Sequence, residues 1–175
     1  MQKEALHKIS YGMYVLTSKL GEDLNGQISN AVIQVTSDPP QIAAAINTNN
    51  YTHECIQGCN SFGVSVLSQE TPLSFVGRFG FKGGKEFDKL KNVDYKIGKT
   101  GVPIVLENAV AYIEVNVNKK VEIGTHTLFI GNVIDAKILN DEKVMTYEYY
   151  HDVKRGTLSK AATHYIEKED EKKWT

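Results

Sequence analysis

The chain has 175 residues, of which 41% are hydrophobic and 23% charged, and its formal net charge is −1. This length and composition favour one folded domain with a hydrophobic core and exclude wholesale disorder. The near-neutral charge balance argues against nucleic-acid binding, and no apolar run approaches the roughly 20 residues that a bilayer-spanning helix needs.

Short apolar segments separated by turn residues dominate the first half of the sequence. Gly, Asn, Asp and Pro residues, as in Asn25-Gly26 and Asp38-Pro39-Pro40, divide these segments from one another. Apolar segments of this length between such residues are typical of β-strands. The strands predicted here are 12–18, 27–36, 41–47 and 62–68.

Three short helices are predicted between the strands, at 52–58, 70–76 and 85–91. The first has Thr52 as its N-cap, because a hydroxyl at that position can accept a hydrogen bond from a free helix amide. The second carries Pro72 in its first turn, where the missing N–H of proline has no helical partner to lose. The helices are too few for an alternating strand–helix fold.

The second half of the sequence predicts a long hairpin. Apolar and polar residues alternate over 111–118, the pattern of a strand with one buried face, and a long β-branched run follows at 121–138. Lys119-Lys120 lies between them and is predicted to form the turn. Gly124 and Gly131 interrupt the second run, where a bulge or a close approach to another backbone or a ligand is expected.

These elements predict a mainly β protein, a barrel or a sandwich with short helices in its loops. One domain is expected over residues 1–165. The segment 166–175 is dominated by Lys and Glu and is predicted to be a charged tail or a linker.

Standard catalytic and metal-binding motifs are missing from the sequence. The glycine-rich segment 77–86 lacks the spacing of a phosphate-binding P-loop, and no G-x-G-x-x-G follows a strand. His53, Cys55 and Cys59 have no further ligand pair at zinc spacing, so we predict no metal site and interpret the cysteines as small packed hydrophobes. Two cysteines, and a first stretch unlike a secretory signal, lead us to expect a protein of the reducing cytoplasm.

Small polar residues concentrate where strands meet loops, at 27–36 and 47–52. Side-chain amides and hydroxyls can bind the polar edge of a planar heterocycle, because these groups both donate and accept hydrogen bonds. A threonine beside the free amides of a helix start also suits a phosphate. The same residue types cap helices and form turns in ordinary folds. The residues alone leave both interpretations open.

Seven segments in this order carry a family resemblance. They are 25–40 (NGQISNAVIQVTSDPP), 49–53, 62–67, 80–84, 88–89, 124–131 and 146–156. The first resembles the N-G-x-x-x-N signature of the flavin reductase-like, FMN-binding split-barrel proteins, and the others are similar in register. The last is similar to a branch of anaerobe proteins, the flavoredoxin type, in which this domain is often joined to a rubredoxin.

The resemblance implies a six-stranded Greek-key split barrel that forms a homodimer and holds FMN near the subunit interface. It implies ring and ribityl contacts from Ser29, Asn30, Ala31, Gln34, Val35 and Thr36, and ribityl and phosphate contacts from Asn47, Asn49, Asn50 and Thr52. It places Phe81, Lys82, Gly83 and Lys89 at the phosphate end. It further implies that His126 faces the flavin or nicotinamide as the catalytic residue, and that Tyr150 and His151 border the same opening.

Two positions depart from the family pattern. Many relatives have Ser where this chain has Gly83, so a hydroxyl contact to phosphate is expected to be absent. Relatives often have Gly-Asp-His where this chain has Gly124-Thr125-His126, so a carboxylate that would orient the histidine is expected to be absent.

The function implied is an FMN-dependent oxidoreductase that transfers hydride from NAD(P)H to flavin. The first alternative is an FMN-containing electron-transfer protein acting between a rubredoxin or NADH oxidoreductase and an acceptor such as a flavoprotein. The second is a flavin-binding module without turnover. In each case the cofactor carries the chemistry and the protein supplies binding and electrostatics.

Overall fold

The computed structural model describes residues 2–157 of the chain. A short 3-10 helix, Lys3–Lys8, precedes the first strands. The strands are β1 (Tyr14–Leu20), β2 (Asp23–Ser29), β3 (Val32–Ser37), β4 (Pro40–Asn47), β5 (Ser61–Leu67), β6 (Tyr95–Ile97), β7 (Pro103–Val105), β8 (Ala109–Ile123) and β9 (His126–Ile138). The helices are α1 (Tyr51–Cys59), α2 (Leu73–Phe81) and α3 (Tyr147–Asp152).

Seven strands form one antiparallel sheet in the order β2-β1-β5-β8-β9-β4-β3, and β6 and β7 form a small separate sheet. The two edge strands, β2 and β3, are joined by only Asn30 and Ala31, so the edges of the large sheet meet at this point. The sheet is open along the rest of that seam, because no ladder joins β2 to β3 in the described residues. The mainly β class is confirmed.

The predicted strand 27–36 is divided in the structure, and this raises the strand count of the sheet from six to seven. The backbone turns at Asn30, whose carbonyl accepts from the Val32 amide at 3.0 Å. The carbonyl of Ala31 accepts from the Ala45 amide at 3.0 Å, which attaches the turn to β4. A local turn of this kind is stabilised by a tertiary contact, and apolar periodicity does not report it.

The hydrophobic core has two main parts, one on each face of the sheet. One contains Leu16, Ile46, Ile56, Phe62 and Phe129, all fully buried. The other packs α2 and α3 against the opposite face of β1 and β5, with Met13, Leu67, Phe75, Phe79 and Met145 at its centre. Together they fix α1 and α2 on opposite sides of β1 and β2.

The long hairpin is confirmed, but its predicted turn at Lys119-Lys120 is wrong. Both lysines lie within β8 and pair with Ile130 and Phe129 of β9. The chain reverses after Ile123, where Gly124 has φ of 54°, a left-handed conformation that favours glycine.

The expectation of a close backbone approach at Gly131 is confirmed. A Cβ atom at this position would lie 2.3 Å from the carbonyl oxygen of Asn116 on the neighbouring strand. The position therefore admits glycine alone without a backbone shift.

The helix at 52–58 is confirmed with different ends. It begins at Tyr51, and its N-cap is Asn50 rather than Thr52. The helix predicted at 70–76 begins later, at Leu73, with Pro72 as its N-cap. Proline is compatible with the extended backbone of a cap, so the cap and not the first turn accommodates it.

The helix predicted at 85–91 is wrong, because this segment forms consecutive turns. Asp88 Oδ1 accepts hydrogen bonds from the amides of Leu90 and Lys91, at 3.0 and 3.1 Å. An aspartate that binds its own following backbone competes with helix formation.

The predicted tail at 166–175 lies outside the described residues. Within residues 2–157, no helix has both the length and the hydropathy to cross a membrane.

Candidate functional site

A polar cleft of about 540 Å³ lies beside β2, and we call it the central cleft. Its walls come from β2, the loop after β4, the first turn of α1, the end of α2 with the turns that follow, and α3. Cavities of about 300–1,000 Å³ with a few convergent polar groups are typical small-molecule sites. The central cleft is therefore the candidate ligand site.

Most of the predicted site residues line the central cleft. These are Ser29, Asn30, Asn47, Asn49, Asn50, Thr52, Phe81, Lys82, Gly83, Lys89, His126 and Tyr150. They come from five separate parts of the chain, which the sheet and the two flanking helices bring together.

Five predicted site residues lie away from the central cleft of this chain. Four of them, Ala31, Gln34, Val35 and Thr36, belong to the edge strand β3 and the turn before it. Gln34, Val35 and Thr36 are exposed, and the side-chain Nε2 of Gln34 donates to the Thr36 carbonyl at 3.1 Å. Their assignment as flavin contacts finds no support within a single chain.

His151 is the fifth of these residues. Its Nδ1 lies 3.0 Å from the carbonyl oxygen of Gly156, and its ring packs edge-on against Tyr147 with centroids 4.3 Å apart. The neighbouring Tyr150 does line the cleft, and its hydroxyl donates to the Thr157 carbonyl at 3.0 Å. His151 therefore packs behind the cleft wall and holds the chain segment that follows α3.

One corner of the cleft is formed by Asn25, Thr52 and Gly84. The buried Asn25 donates from Nδ2 to the Thr52 hydroxyl at 2.9 Å, which leaves the hydroxyl proton of Thr52 available to a ligand. A Cβ atom on Gly84 would lie 2.6 Å from Asn25 Oδ1. Glycine at this position lets the following turn approach the corner closely.

Lys89 places a buried ammonium in the cleft wall. Its side chain is 5% exposed, and Nζ donates to the carbonyls of Gly26 at 2.9 Å and Phe79 at 3.2 Å. Burial lowers its pKa to about 8, since a desolvated cation is disfavoured. No carboxylate among residues 2–157 pairs with it, so the wall carries a positive charge that an anionic ligand can neutralise.

Two buried polar atoms in the cleft lining have no hydrogen-bond partner among the described residues. They are Gln27 Oε1 and His126 Nε2. The other ring nitrogen of His126, Nδ1, lies 2.8 Å from the Thr125 hydroxyl. Buried polar atoms in native proteins are normally paired, so both atoms point to a ligand with polar groups.

The protonation of His126 follows from its surroundings. Burial lowers its pKa, and in the described residues no carboxylate bonds to the ring. The imidazole is therefore neutral at pH 7. Its place is fixed by the backbone, because His126 begins β9 opposite Asn47, the last residue of β4.

Asn25 and Gln27 line the cleft but were not among the predicted site residues, although Gln27 begins the polar segment 27–36. Both lie on β2 with Ser29, and alternate residues of a strand face the same side. Counting back from Ser29 in steps of two along the strand would have predicted that Asn25 and Gln27 face the same side. Met13, Tyr147 and Thr157 also line the cleft, and local sequence offers no comparable signal for them.

The histidine and cysteines of α1 have ordinary structural partners. His53 Nε2 lies 2.8 Å from the Thr127 hydroxyl, and Cys59 Sγ lies 3.2 Å from the Ser18 hydroxyl. Cys55 is buried, and its burial raises the thiol pKa to about 12. Residues 2–157 contain no group of three or more His, Cys, Asp or Glu side chains placed to hold a metal ion.

Known proteins resemble this chain over most of its length. Residues 6–157 match the family described as flavin reductase like domain. A ferric-chelate reductase (NAD(P)H) from Archaeoglobus fulgidus is 50% identical over 167 residues, covering 95% of this chain and 99% of that protein. A high molecular weight rubredoxin from Moorella thermoacetica is 49% identical over 162 residues, covering 93% of this chain and 71% of that protein.

The fold has close counterparts among solved structures. An NADH:FAD oxidoreductase from Streptomyces globisporus C-1027 superposes with a TM-score of 0.73 at 26% identity, covering 81% of this chain and 84% of that chain. The open barrel and its polar cleft thus define a small-molecule-binding protein of the flavoprotein oxidoreductase class. The chain belongs to the flavin reductase-like family. The predicted family, fold and function class are confirmed at this level.

Proposed function

We propose that the central cleft binds FMN and that the protein catalyses hydride transfer from NAD(P)H to the flavin. This proposal rests on one observation: unpartnered buried polar atoms and a buried ammonium line the same cleft. Gln27 Oε1 and His126 Nε2 are buried without a partner among the described residues, and Lys89 adds a buried ammonium. A flavin nucleotide has a polar ring edge and a phosphate, so it suits both kinds of group.

The corner at Thr52 is proposed to hold the phosphate. The Thr52 hydroxyl proton is available, and the first turn of α1 offers free amides and the positive end of the helix dipole. Lys89 supplies a cation with two of its directions already fixed by backbone carbonyls. Lys82, exposed at the end of α2, adds a second positive charge to the same rim.

The residues between that corner and His126 are proposed to bind the ring and the ribityl chain. Ser29, Asn30 and Gln27 provide hydroxyl and amide groups along β2 and its end. Asn47 fixes the facing loop, because its Oδ1 accepts from the Asn49 amide at 3.0 Å. Bound flavin would supply the redox chemistry, while these side chains set its position and exclude water.

NAD(P)H is proposed to enter from the open side of the cleft. The sequence has no dinucleotide-binding motif, so the nicotinamide would stack on the bound ring instead of occupying a separate domain. His126 lies in the lining as a neutral imidazole and is proposed to orient the reacting rings through Nε2. In this proposal His126 positions the rings through van der Waals contact and a hydrogen bond.

We also propose that the protein is a homodimer that covers β3. Ile33 and Val35 of this edge strand are 60% and 42% exposed, and an uncovered apolar edge strand favours association. Gln34 and Thr36 lie on the same strand, so a second copy could bring the predicted flavin contacts of β3 to a neighbouring cleft.

A cytoplasmic location is also proposed, because Cys55 and Cys59 are free thiols, and free thiols are typical of proteins in a reducing compartment.

A second candidate function is electron transfer with a protein partner. The 49% identical relative that is named a high molecular weight rubredoxin favours it. In this case FMN stays bound and electrons pass between a rubredoxin or an NADH oxidoreductase and an acceptor flavoprotein. The cleft would bind the cofactor in the same way, and the electron donor and acceptor would differ.

Anaerobic mixing with NADH and with NADPH distinguishes the two functions. The purified protein is reconstituted with FMN, and the bleaching of the flavin absorption band is followed in a stopped-flow instrument. Fast bleaching by either nucleotide is the result expected for a flavin reductase. Bleaching only after a reduced rubredoxin is added would support electron transfer, and failure to bind FMN at all would contradict both.

A further inference from the structure

Five residues line both the central cleft and a second groove beside it: Tyr51, Glu54, Gly84, Lys85 and Glu86. We call three of them, Tyr51, Glu54 and Lys85, the partition, because their side chains contact one another. Lys85 Nζ lies 2.7 Å from Glu54 Oε2 and 5.1 Å from the centroid of the Tyr51 ring. The Tyr51 hydroxyl donates to Asp23 Oδ2 at 3.2 Å, which anchors the partition to β2.

The groove behind the partition is strongly acidic. It has a volume of about 900 Å³, and among residues 2–157 only Lys85 and Lys91 provide positive charge in its lining. Its carboxylates are Glu22, Asp23, Glu54, Glu86 and Asp88. The groove therefore carries a net negative charge, and a second anionic group placed in it would be repelled.

The partition adjoins the corner where the phosphate is proposed to bind. Tyr51 precedes Thr52 on α1, and Lys85 follows Gly84, which packs against Asn25 at that corner. The acidic groove shares lining residues with the cleft at this corner, so we infer that a ligand that continues beyond its first phosphate extends past the partition into the groove. The Lys85–Glu54 pair is exposed and contributes little by itself, so the charge of the groove is the stronger barrier.

We propose that the partition and the acidic groove make the central cleft selective for a flavin mononucleotide over a flavin dinucleotide. This inference rests on the proposed function, because it assigns the phosphate end of the flavin to the corner at Thr52. The first phosphate is held at Thr52 and Lys89. The second phosphate and the adenosine of FAD would face the carboxylates.

Titration of the apoprotein with FMN and with FAD, followed by flavin fluorescence, tests the inference. We expect FMN to bind at least about 10-fold more tightly than FAD. The test variant combines Glu22→Gln with Asp23→Asn, two positions that line the groove and not the cleft. It should tighten FAD binding at least about 3-fold and change FMN binding less than about 2-fold.

A matched control removes the same charge elsewhere. Asp141→Asn with Glu142→Gln lies in an exposed segment outside the lining of either cavity and should keep the FMN-to-FAD ratio of the unaltered protein. Added salt should bring the FMN and FAD affinities of the unaltered protein closer together, because salt screens the exposed carboxylates of the groove.

Each remaining outcome contradicts a specific statement. Equal binding of FMN and FAD by the unaltered protein overturns the selectivity but leaves the proposed function intact. An unchanged ratio in the groove variant also overturns it, because the discrimination then arises elsewhere. Binding of neither flavin overturns the proposed function and this inference together.

Discussion

Lys89 is a residue of the central cleft whose charge changes at mildly alkaline pH. Its side chain is buried, its ammonium donates to two backbone carbonyls, and its pKa is lowered to about 8 by burial. Most buried cations in proteins have an anionic partner, and none pairs with this one in residues 2–157. A bound phosphate would supply that partner.

This arrangement predicts that FMN affinity falls as pH rises above about 8. Below that pH Lys89 is protonated and attracts the phosphate, which is dianionic above about pH 6. As pH rises, the free protein loses the proton first, and the affinity drops by up to about 10-fold per pH unit. The dissociation constant of FMN, measured from pH 6.5 to pH 10, checks the prediction.

Lys89→Met is the control for that pH dependence. Methionine keeps most of the apolar stem without the charge, so the variant should bind FMN more weakly at pH 7 and show a flat profile around pH 8. Riboflavin, which lacks the phosphate, should also give a flat profile with the unaltered protein. A profile for FMN that is flat in the unaltered protein would remove Lys89 from the phosphate site.

His126 gives a second prediction at this scale. Because His126 lines the cleft and its Nε2 is buried without a partner among the described residues, His126→Ala should slow flavin reduction by NAD(P)H at least about 10-fold. FMN binding should weaken less than about 3-fold, since the phosphate end is untouched. Stopped-flow reduction and an equilibrium titration measure the two effects. Equal losses in both would assign His126 to binding alone.

At the scale of elements, the hairpin of β8 and β9 shows what local sequence reports and what it does not. The alternation over 111–118 correctly predicted a strand, but not its single buried face, because Tyr112 and Glu114 on the polar side are 3% and 0% exposed. The turn was misplaced because Lys119 and Lys120 are exposed on the strand, where polar residues are as acceptable as in a turn. The real turn depends on the left-handed backbone at Gly124, which apolar periodicity does not encode.

The division between β2 and β3 follows the same logic. The sequence from 27 to 36 predicts one strand, but its two halves form the opposite edges of the sheet, where β2 pairs with β1 and β3 pairs with β4. The break at Asn30 depends on the β4 amide that bonds Ala31, a contact between residues 14 positions apart. Tertiary pairing decides strand boundaries of this kind.

Gly131 supports a prediction about stability. Gly131→Ala would place a methyl group 2.3 Å from the Asn116 carbonyl, so one strand must shift. We expect the free energy of unfolding to fall by about 1–3 kcal/mol, the usual cost of overpacking. Urea denaturation measures the change.

Gly77→Ala is the matched control for that substitution. Gly77 lies within α2, and its nearest neighbour to an added Cβ is 3.9 Å away. Alanine should stabilise the helix or leave stability unchanged. If Gly131→Ala proved as harmless as Gly77→Ala, the close approach of β8 and β9 would be contradicted.

For the whole molecule, the fold class was predictable from strand spacing, whereas the composition of the site depends on tertiary contacts between distant parts of the chain. Asn49, Asn50 and Thr52 lie close in sequence, and their polar character was visible locally. Lys89 and His126 reach the same cleft only because the sheet and α2 place them there. The family resemblance supplied those positions in advance.

The proposed dimer is testable at this scale. If a second copy covers β3, the unaltered chain should show about twice its mass of 19.5 kDa in light scattering after size exclusion. Val35→Lys should shift it toward the monomer, because a charge on the covered face is disfavoured. Ile138→Lys is the control, since Ile138 is 74% exposed at the far end of β9. A monomer without any substitution would contradict the dimer.

A crystal structure of the protein with FMN tests the central claim most directly. The phosphate should lie within about 3.2 Å of Thr52 Oγ1 and Lys89 Nζ. A polar atom of the ring system should pair with Gln27 or His126. Flavin bound at another surface while the cleft holds only water, or a phosphate distant from both Thr52 and Lys89, would contradict it.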